Sequence, residues 1–296
     1  MFQRLLVCTD LSDGLQRLVH FVPSLAATGI QQVTFLHCVP LDEGGRIPKV
    51  NQAKVDQARQ YLGQAQEHGS AAIKVAIAVE SGRPADVILK AVRDYQADLL
   101  MVGYPLRSAF SEQVFGSTAV ELYSKASIPI LSMRPQLIST YTTEELDLRL
   151  RHLFRHCMVP YDGSPTAQIA VQKIKQFAIQ QQEAGQTVLE ACNFCWVLDD
   201  VERREIPQEP FVAEARQKLA AVEQELEAVH LTVATEVRKG SAIAEVLAAC
   251  LLPDISLIVV CHGNRSRWLQ LSVPSFTHEL LHCSWHPVLY LPSKVA

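Results

Sequence analysis

No apolar run in this sequence reaches the ~18 residues that a membrane helix needs, because Asp98 and Asp254 interrupt the two most apolar stretches. A membrane-spanning segment is not expected. The opening Met1-Phe-Gln-Arg-Leu-Leu-Val-Cys-Thr-Asp10 reaches an acidic residue too soon to hold a signal-type apolar region, so a cytoplasmic protein is the expectation. A basic stripe interleaved with aromatics is missing as well: aromatic residues make up 7% of the chain. Charge is spread as 13 Lys and Arg against 12 Asp and Glu over residues 1–140, and 14 against 19 over residues 141–296, for a formal net charge of −4. Neither nucleic acid nor an anionic bilayer is expected as a partner, whereas a small anionic ligand fits this balance. The eight cysteines lie mostly in apolar runs (Cys8, Cys38, Cys157, Cys192, Cys250, Cys261). They read as reduced, buried thiols rather than a disulfide framework.

What is present is one unit written twice. Leu5-Leu-Val-Cys-Thr-Asp10 and His156-Cys-Met-Val-Pro-Tyr-Asp162 are apolar runs ending in an aspartate, 152 residues apart. Further on, the glycines of Val79-Glu-Ser-Gly82-Arg-Pro84 and Val237-Arg-Lys-Gly240-Ser-Ala are 158 apart, a spacing kept by Glu121 and Glu279 and by Pro129 and Pro287. One register thus holds over the last third of each half, with six extra residues upstream in the second.

Within each half, short apolar runs alternate with longer segments of helical period, the pattern of parallel strands joined by crossover helices. The fold class is α/β. In the first half, strands are expected at Arg4 to Thr9, Val33 to Val39, Ile73 to Val79, Leu99 to Gly103 and Ile128 to Met133. Val288 to Leu291 is the fifth strand of the second. Pro84 suits the first turn of a helix whose stripe is Val87, Ile88, Ala91 and Val92, and Ile243, Val246, Leu247 and Cys250 repeat it. Thr142-Thr-Glu-Glu145 is a capping box opening a short helix through Leu146 to about Phe154. Its apolar face, Leu146, Leu150 and Phe154, is expected to dock on a domain. The expected boundaries are a first domain over 1–135, a linker with a short helix over 136–152, and a second domain over 153–296.

Open parallel sheets bind ligands beyond the carboxyl ends of their strands, where the winding reverses. In the first half the strands flanking that crevice end in Asp10 and Gly103. The second of them continues through Leu106 and Arg107 to Gly116-Ser117-Thr118 at the start of a helix. A glycine admits close approach of backbone to a ligand, and the helix start offers free N–H donors, two hydroxyls and a positive dipole end. Phosphate oxygens suit that place, and Arg107 could add a charged contact. Asp10 reads equally as a site carboxylate and as a turn carboxylate, and Gly116-Ser-Thr equally as a phosphate site and as an N-cap.

The aspartate closing strand one, the Gly82-Arg-Pro84 after strand three and the glycine-serine loop after strand four together resemble the universal stress protein family, over nearly the whole chain and as a tandem pair. The resemblance implies two doubly wound domains, each a five-stranded parallel sheet of order 3-2-1-4-5, packed as an intrachain pseudo-dimer with their edge strands paired. It also implies ATP or another adenine nucleotide as ligand, with Asp10, Val39, Gly103, Arg107, Gly116, Ser117 and Thr118 as binding residues. A stress-linked regulatory role without an enzymatic reaction goes with it. Two departures stand out. Leu106 replaces the middle glycine of the family loop, at a cost on the order of 1 to 2 kcal/mol if that position needs positive φ. The second half carries Cys261, Asn264 and Pro274-Ser275 where the first has Gly103, Leu106 and Gly116-Ser117, and Pro274 deletes an N–H. No nucleotide is expected there, and Asp162 reads as a turn residue.

Other motifs carry less. Cys192 and Cys195 lie three apart on an expected strand, where they point to opposite faces, so buried thiols are expected in place of a metal or redox pair. His278 and His282 share a helix face as metal ligands do, but no further ligand accompanies them, and no metal is expected. Three functions compete: a tandem stress protein whose first half senses an adenine nucleotide, a ligand-independent adaptor with both sites decayed, and an ATP-using enzyme. The chain has no Gly-x4-Gly-Lys-Ser/Thr, Gly-x-Gly-x2-Gly or Ser-Gly-Gly-x-Asp loop and no nucleophile beside a base, so the enzyme ranks last. Whether the chain also forms a homodimer is open.

Overall fold

The computed structural model describes residues 1–12, 14–42, 48–104, 117–198, 209–262 and 276–292. The first repeat runs β1 (Arg4–Cys8), a 3₁₀ turn (Leu15–His20), α1 (Val22–Ala26), β2 (Gln32–Val39), α2 (Gln52–Glu67), β3 (Lys74–Ser81), α3 (Pro84–Asp94), β4 (Leu99–Gly103), α4 (Ser117–Lys125) and β5 (Ile130–Met133). Two helices follow, α5 (Pro135–Thr140) and α6 (Thr143–Arg151). The second repeat runs β6 (His156–Pro160), α7 (Pro165–Glu183), β7 (Ala191–Leu198), α8 (Glu209–Glu227), β8 (Thr232–Lys239), α9 (Ala242–Ala249), β9 (Leu257–His262), α10 (Phe276–Cys283) and β10 (Val288–Pro292).

In the first repeat the strands pair in parallel in the order β3-β2-β1-β4-β5. The second repeats this as β8-β7-β6-β9-β10. Both are doubly wound sheets of the expected order. Their strands are apolar on both faces because helices cover both: Leu5, Leu6, Val7, Phe35 and Leu99 are at most 1% exposed, as are Cys157, Met158 and Phe194. The winding reverses between β1 and β4, where Cys8 pairs with Leu36 on one side and Val102 on the other. The loops after β1 and β4 therefore leave the sheet side by side.

Element ends differ from the sequence reading for local reasons. The fifth strand begins at Ile130, not Ile128, because Pro129 contributes only its carbonyl, to Leu100 N at 3.0 Å. β3 extends to Ser81 because its pairing with β2 continues to Val39. The capping box closes in both directions, Glu145 N donating to Thr142 Oγ1 at 3.3 Å and Thr142 N to Glu145 Oε2 at 2.9 Å. The helix it opens stops at Arg151, and Phe154 is buried in the turn beyond. In α3, Pro84 does stand in the first turn, and Ile88, Ala91 and Val92 are buried.

Between its first and second strands the second repeat carries seven extra residues, since Ala191 of β7 answers to Gln32 of β2, and one is given back before β8, whose Thr232 answers to Lys74 of β3. α7 has 19 residues, whereas the matching stretch of the first repeat holds only the six-residue 3₁₀ turn and the five-residue α1. Residues 135–151 supply the missing cover: α5 packs on the 3₁₀ turn and α6 on α1. The chain accordingly divides into two compact units between Arg151 and His152. The segment expected as a linker is thus a wall of the first unit, carrying two helices and burying Ile138, Leu146 and Leu150. Truncating Leu146 (1% exposed) to Ala should destabilise the first unit by about 2 to 5 kcal/mol. Leu148→Ala, at 56% exposed, should change its stability by no more than about 0.5 kcal/mol. Urea denaturation of the two variants checks this, and equal effects would mean that α6 is not docked.

Candidate functional site

The crevice of the first unit is built on the turn that leaves β1. Thr9 continues the strand, its N–H donating to Leu36 O at 3.0 Å, and its own carbonyl accepts from His37 Nδ1 at 2.9 Å. The next residue, Asp10, is exposed and folds into an Asx turn, Oδ1 accepting from Ser12 N at 2.8 Å and Ser12 Oγ at 2.9 Å. Leu11 between them sits at φ 64, a left-handed backbone that costs a leucine on the order of 1 to 2 kcal/mol. Its N–H is held by Thr9 Oγ1 at 3.0 Å. In the second unit the same place is filled by Gly163 at φ 70, with Asp162 Oδ1 accepting from Ser164 N at 2.9 Å. Both aspartates are thus turn carboxylates, and both remain exposed at the carboxyl edge of their sheets.

Beside this turn, β4 ends in Gly103, followed by the buried Tyr104. Tyr104 N donates to Met133 O at 2.8 Å, and its carbonyl accepts from Arg134 Nη1 at 3.0 Å. The Arg134 guanidinium, itself buried, lies over the Tyr104 ring at 5.3 Å. Sequence reasoning missed this anchor, since nothing in the spacing ties Arg134 to the β4 exit. Ser117 and Thr118 begin α4, with Thr118 half-buried. That helix is steered by the middle residue of Gly82-Arg-Pro84: Arg83 Nη2 donates to Glu121 Oε2 at 2.5 Å, and Lys125 Nζ to Glu121 Oε1 at 2.5 Å. Lys125 and Arg83 together hold the Glu121 carboxyl below its ordinary value.

Strand pairing therefore brings Asp10 and Gly103 to one edge of one sheet. Leu106, Arg107 and Gly116 lie outside the described residues, as do Asn264, Pro274 and Ser275 in the second unit. Val39 is a different case. It ends β2 opposite Ser81 at the same edge, but it is 0% exposed. It is sealed by packing at a point where only β3 runs beside β2, since β1 ends at Cys8 opposite Leu36.

The second unit fills its crevice differently. Trp196, on β7 at the register of His37, lies over the turn after β6, where a Cβ on Gly163 would come within 2.7 Å of Cη2 of its ring. Tyr161 meets the indole edge-on at 5.7 Å, and Lys218 Nζ from α8 stands 5.7 Å from the ring centroid. Tyr161 OH donates to Gln168 Oε1 at 3.1 Å, and burial pushes its phenol above the ordinary value. An Asp-Gly dipeptide followed by an aromatic on the next strand is the signal that could have pointed here. Gly163→Ala should cost about 1 to 3 kcal/mol through clash and left-handed backbone. Leu11→Gly should leave stability unchanged or raise it by up to about 1 kcal/mol. Thermal denaturation checks the pair, and a tolerated Gly163→Ala would mean that the indole does not rest on this turn.

The other cysteine and histidine groups are packing. Cys192 Sγ faces Cys157 Sγ at 3.1 Å across the β6–β7 pair, while Cys195, three residues on, belongs to the other face. Burial, then the Glu236 carboxylate, pushes the thiols of Cys195 and Cys250 up to about 12. His278 and His282 do share a face of α10, edge to face at 4.7 Å. Burial and the neighbouring His282 push His278 down to about 4. Among the described residues, no group of three or more His, Cys, Asp or Glu is arranged to hold a metal, and no helix is long and apolar enough to cross a membrane. Burial keeps the Cys195 and Cys250 thiols protonated, and so unreactive, at pH 8. Iodoacetamide on the native protein should therefore modify the exposed Cys283 first and leave Cys192, Cys195 and Cys250 unreacted until denaturation. Peptide mapping reads the order.

Fold and crevice together define a tandem α/β protein: two doubly wound parallel sheets, each with an aspartate turn at its switch point. The Universal stress protein family model matches residues 1–134 and again 153–292, and the chain belongs to that family. Solved structures agree on the fold. A universal stress protein from Archaeoglobus fulgidus DSM 4304 is 18% identical, with 98% of each chain covered and a TM-score of 0.70. A functionally unknown protein from Pseudomonas aeruginosa PAO1 is 12% identical, covering 98% of this chain and 92% of that one, with a TM-score of 0.59. No curated protein matches the chain.

Proposed function

We propose that this chain is a non-catalytic, cytoplasmic stress-response regulator whose first unit takes an adenine nucleotide, ATP or a relative of it, at the carboxyl edge of β1 and β4. The second unit is its structural partner. The observation that carries this reading is the β1–β4 pairing, which sets the exposed Asp10 carboxylate beside the Gly103 strand end, in a crevice of the kind that binds nucleotides in doubly wound sheets. Ser12 engages Oδ1 of Asp10, and Oδ2 can accept from a base N–H. The N-terminus of α4, approached through Gly116 and Ser117, offers donors for phosphate. Arg107 lies in the same connection and supplies a charge.

Two observations support a structural role for the second unit. Trp196 covers the turn after Asp162, and Pro274 stands where the first half has Gly116. The test is calorimetric titration of the full chain with ATP, ADP and AMP, alongside mass spectrometry of small molecules released on denaturation. One nucleotide per chain is expected, with affinity lowered about tenfold or more by Asp10→Ala and lost in Gly116→Val. No released nucleotide and no heat up to millimolar concentrations would overturn the reading in favour of a ligand-independent adaptor.

A further inference from the structure

His37 is tied to the turn after β1 by one ring nitrogen and has the other to spare. Nδ1 lies 2.9 Å from Thr9 O. A carbonyl oxygen only accepts, so Nδ1 carries the proton, and the neutral ring presents Nε2 as a bare acceptor. Among the described residues nothing donates to Nε2, and the atom is not buried. The ring as a whole is half-buried.

The second unit shows how far a side chain at this register reaches. Cys8 pairs with Leu36 and Pro160 with Cys195, so His37 and Trp196 are the next residues on equivalent strands. The indole extends over the turn after β6, its Cη2 within 2.7 Å of where a Cβ on Gly163 would stand. In the first unit the smaller ring is anchored at the Thr9 carbonyl, immediately before Asp10, and it offers an acceptor where an indole has only a donor. Asp10 brings a second acceptor to the same strand exit. Its Oδ1 is engaged by Ser12 N and Oγ, and its Oδ2 takes no hydrogen bond among the described residues.

We propose that His37 is a further ligand-binding residue of the first unit's crevice, its Nε2 and Asp10 Oδ2 accepting the two N–H bonds of the exocyclic amino group of an adenine base. This rests on the nucleotide reading above and names the feature of the base that the site selects. An amino group puts two donors on one nitrogen, which two acceptors at one edge can share. A carbonyl oxygen in the same place finds no proton to accept and loses its water without compensation. Hypoxanthine, which carries that oxygen where adenine carries the amino group, is therefore the base that the site rejects. The Thr9 tie makes the selection possible, because it fixes the tautomer that leaves Nε2 unprotonated.

Calorimetric titration of the full chain with ATP and with ITP, its hypoxanthine counterpart, tests this. ATP is expected to bind about tenfold or more tightly than ITP. His37→Asn keeps an amide N–H for Thr9 O near the place of Nδ1 but puts nothing at Nε2. It should leave the thermal unfolding midpoint where it is, weaken ATP about three- to tenfold, the worth of one neutral hydrogen bond, and spare ITP. His37→Gln, whose amide oxygen can stand in for Nε2, should keep the preference for ATP. Should His37→Asn fail to fold, His37→Phe fills the ring's volume without an acceptor and carries the same comparison. Equal affinity of the unaltered chain for ATP and ITP, or an equal loss of both in the variant, would overturn the role of His37 and leave the nucleotide site standing. Heat from neither nucleotide would sink the nucleotide reading and this one together, so the two failures are told apart.

Discussion

Each unit depends on its first strand being enclosed by parallel pairing on both sides. β1 lies between β2 and β4, and β6 between β7 and β9, so these strands have backbone partners along both edges and helices over both faces. A strand so placed must be apolar throughout, as Leu5-Leu6-Val7 and Cys157-Met158-Val159 are. It must also throw its next loop over the carboxyl edge, beside the loop of the strand on its other flank. The Asp10 turn and the Gly103 end stand together for that reason, although about ninety residues separate them in the chain.

The two units show how one sheet supports different crevices. Their strand order and registers correspond, and both turns after the first strand use a left-handed residue following an aspartate. In the second unit that residue is glycine, and the space over it is taken by the Trp196 ring with Tyr161 and Lys218 around it. In the first it is leucine, the neighbouring strand carries His37 in place of the tryptophan, and Asp10, bound to Ser12, lies exposed at the edge as Asp162 does. The lengths of the following helices differ too. Where α7 covers its sheet alone, the short 3₁₀ turn and α1 need α5 and α6 beside them, which brings a connecting segment into contact with the crevice loop.

Much of this was readable in advance because it depends on local pattern. Parallel strands announce themselves as continuous apolar runs, the capping box at Thr142 and Glu145 names its own two hydrogen bonds, and the spacing of Cys192 and Cys195 alone separates their sulfurs by face. Strand ends were less legible where pairing with a neighbour, as at Ser81, or a proline, as at Pro129, moved them by one or two residues. Of the candidate site residues, Asp10, Gly103 and Thr118 stand at the edge the repeats pointed to, whereas Val39 is sealed beneath it. Packing in the folded unit, and not its own sequence position, removes its surface.

Periodicity and repetition in the chain were enough for the α/β class, the duplication and the aspartate-and-glycine edge, because they record what each segment must bury, whereas the strand order was an implication of the family resemblance. Only the tertiary structure decided that Trp196 closes one turn, that Arg134 anchors the β4 exit through Tyr104, and that residues 135–151 form a wall held by Arg17 and Gly14. These are contacts between segments 30 to more than 100 residues apart. They are fixed by how helices of unequal length cover the same sheet, and no local pattern encodes that.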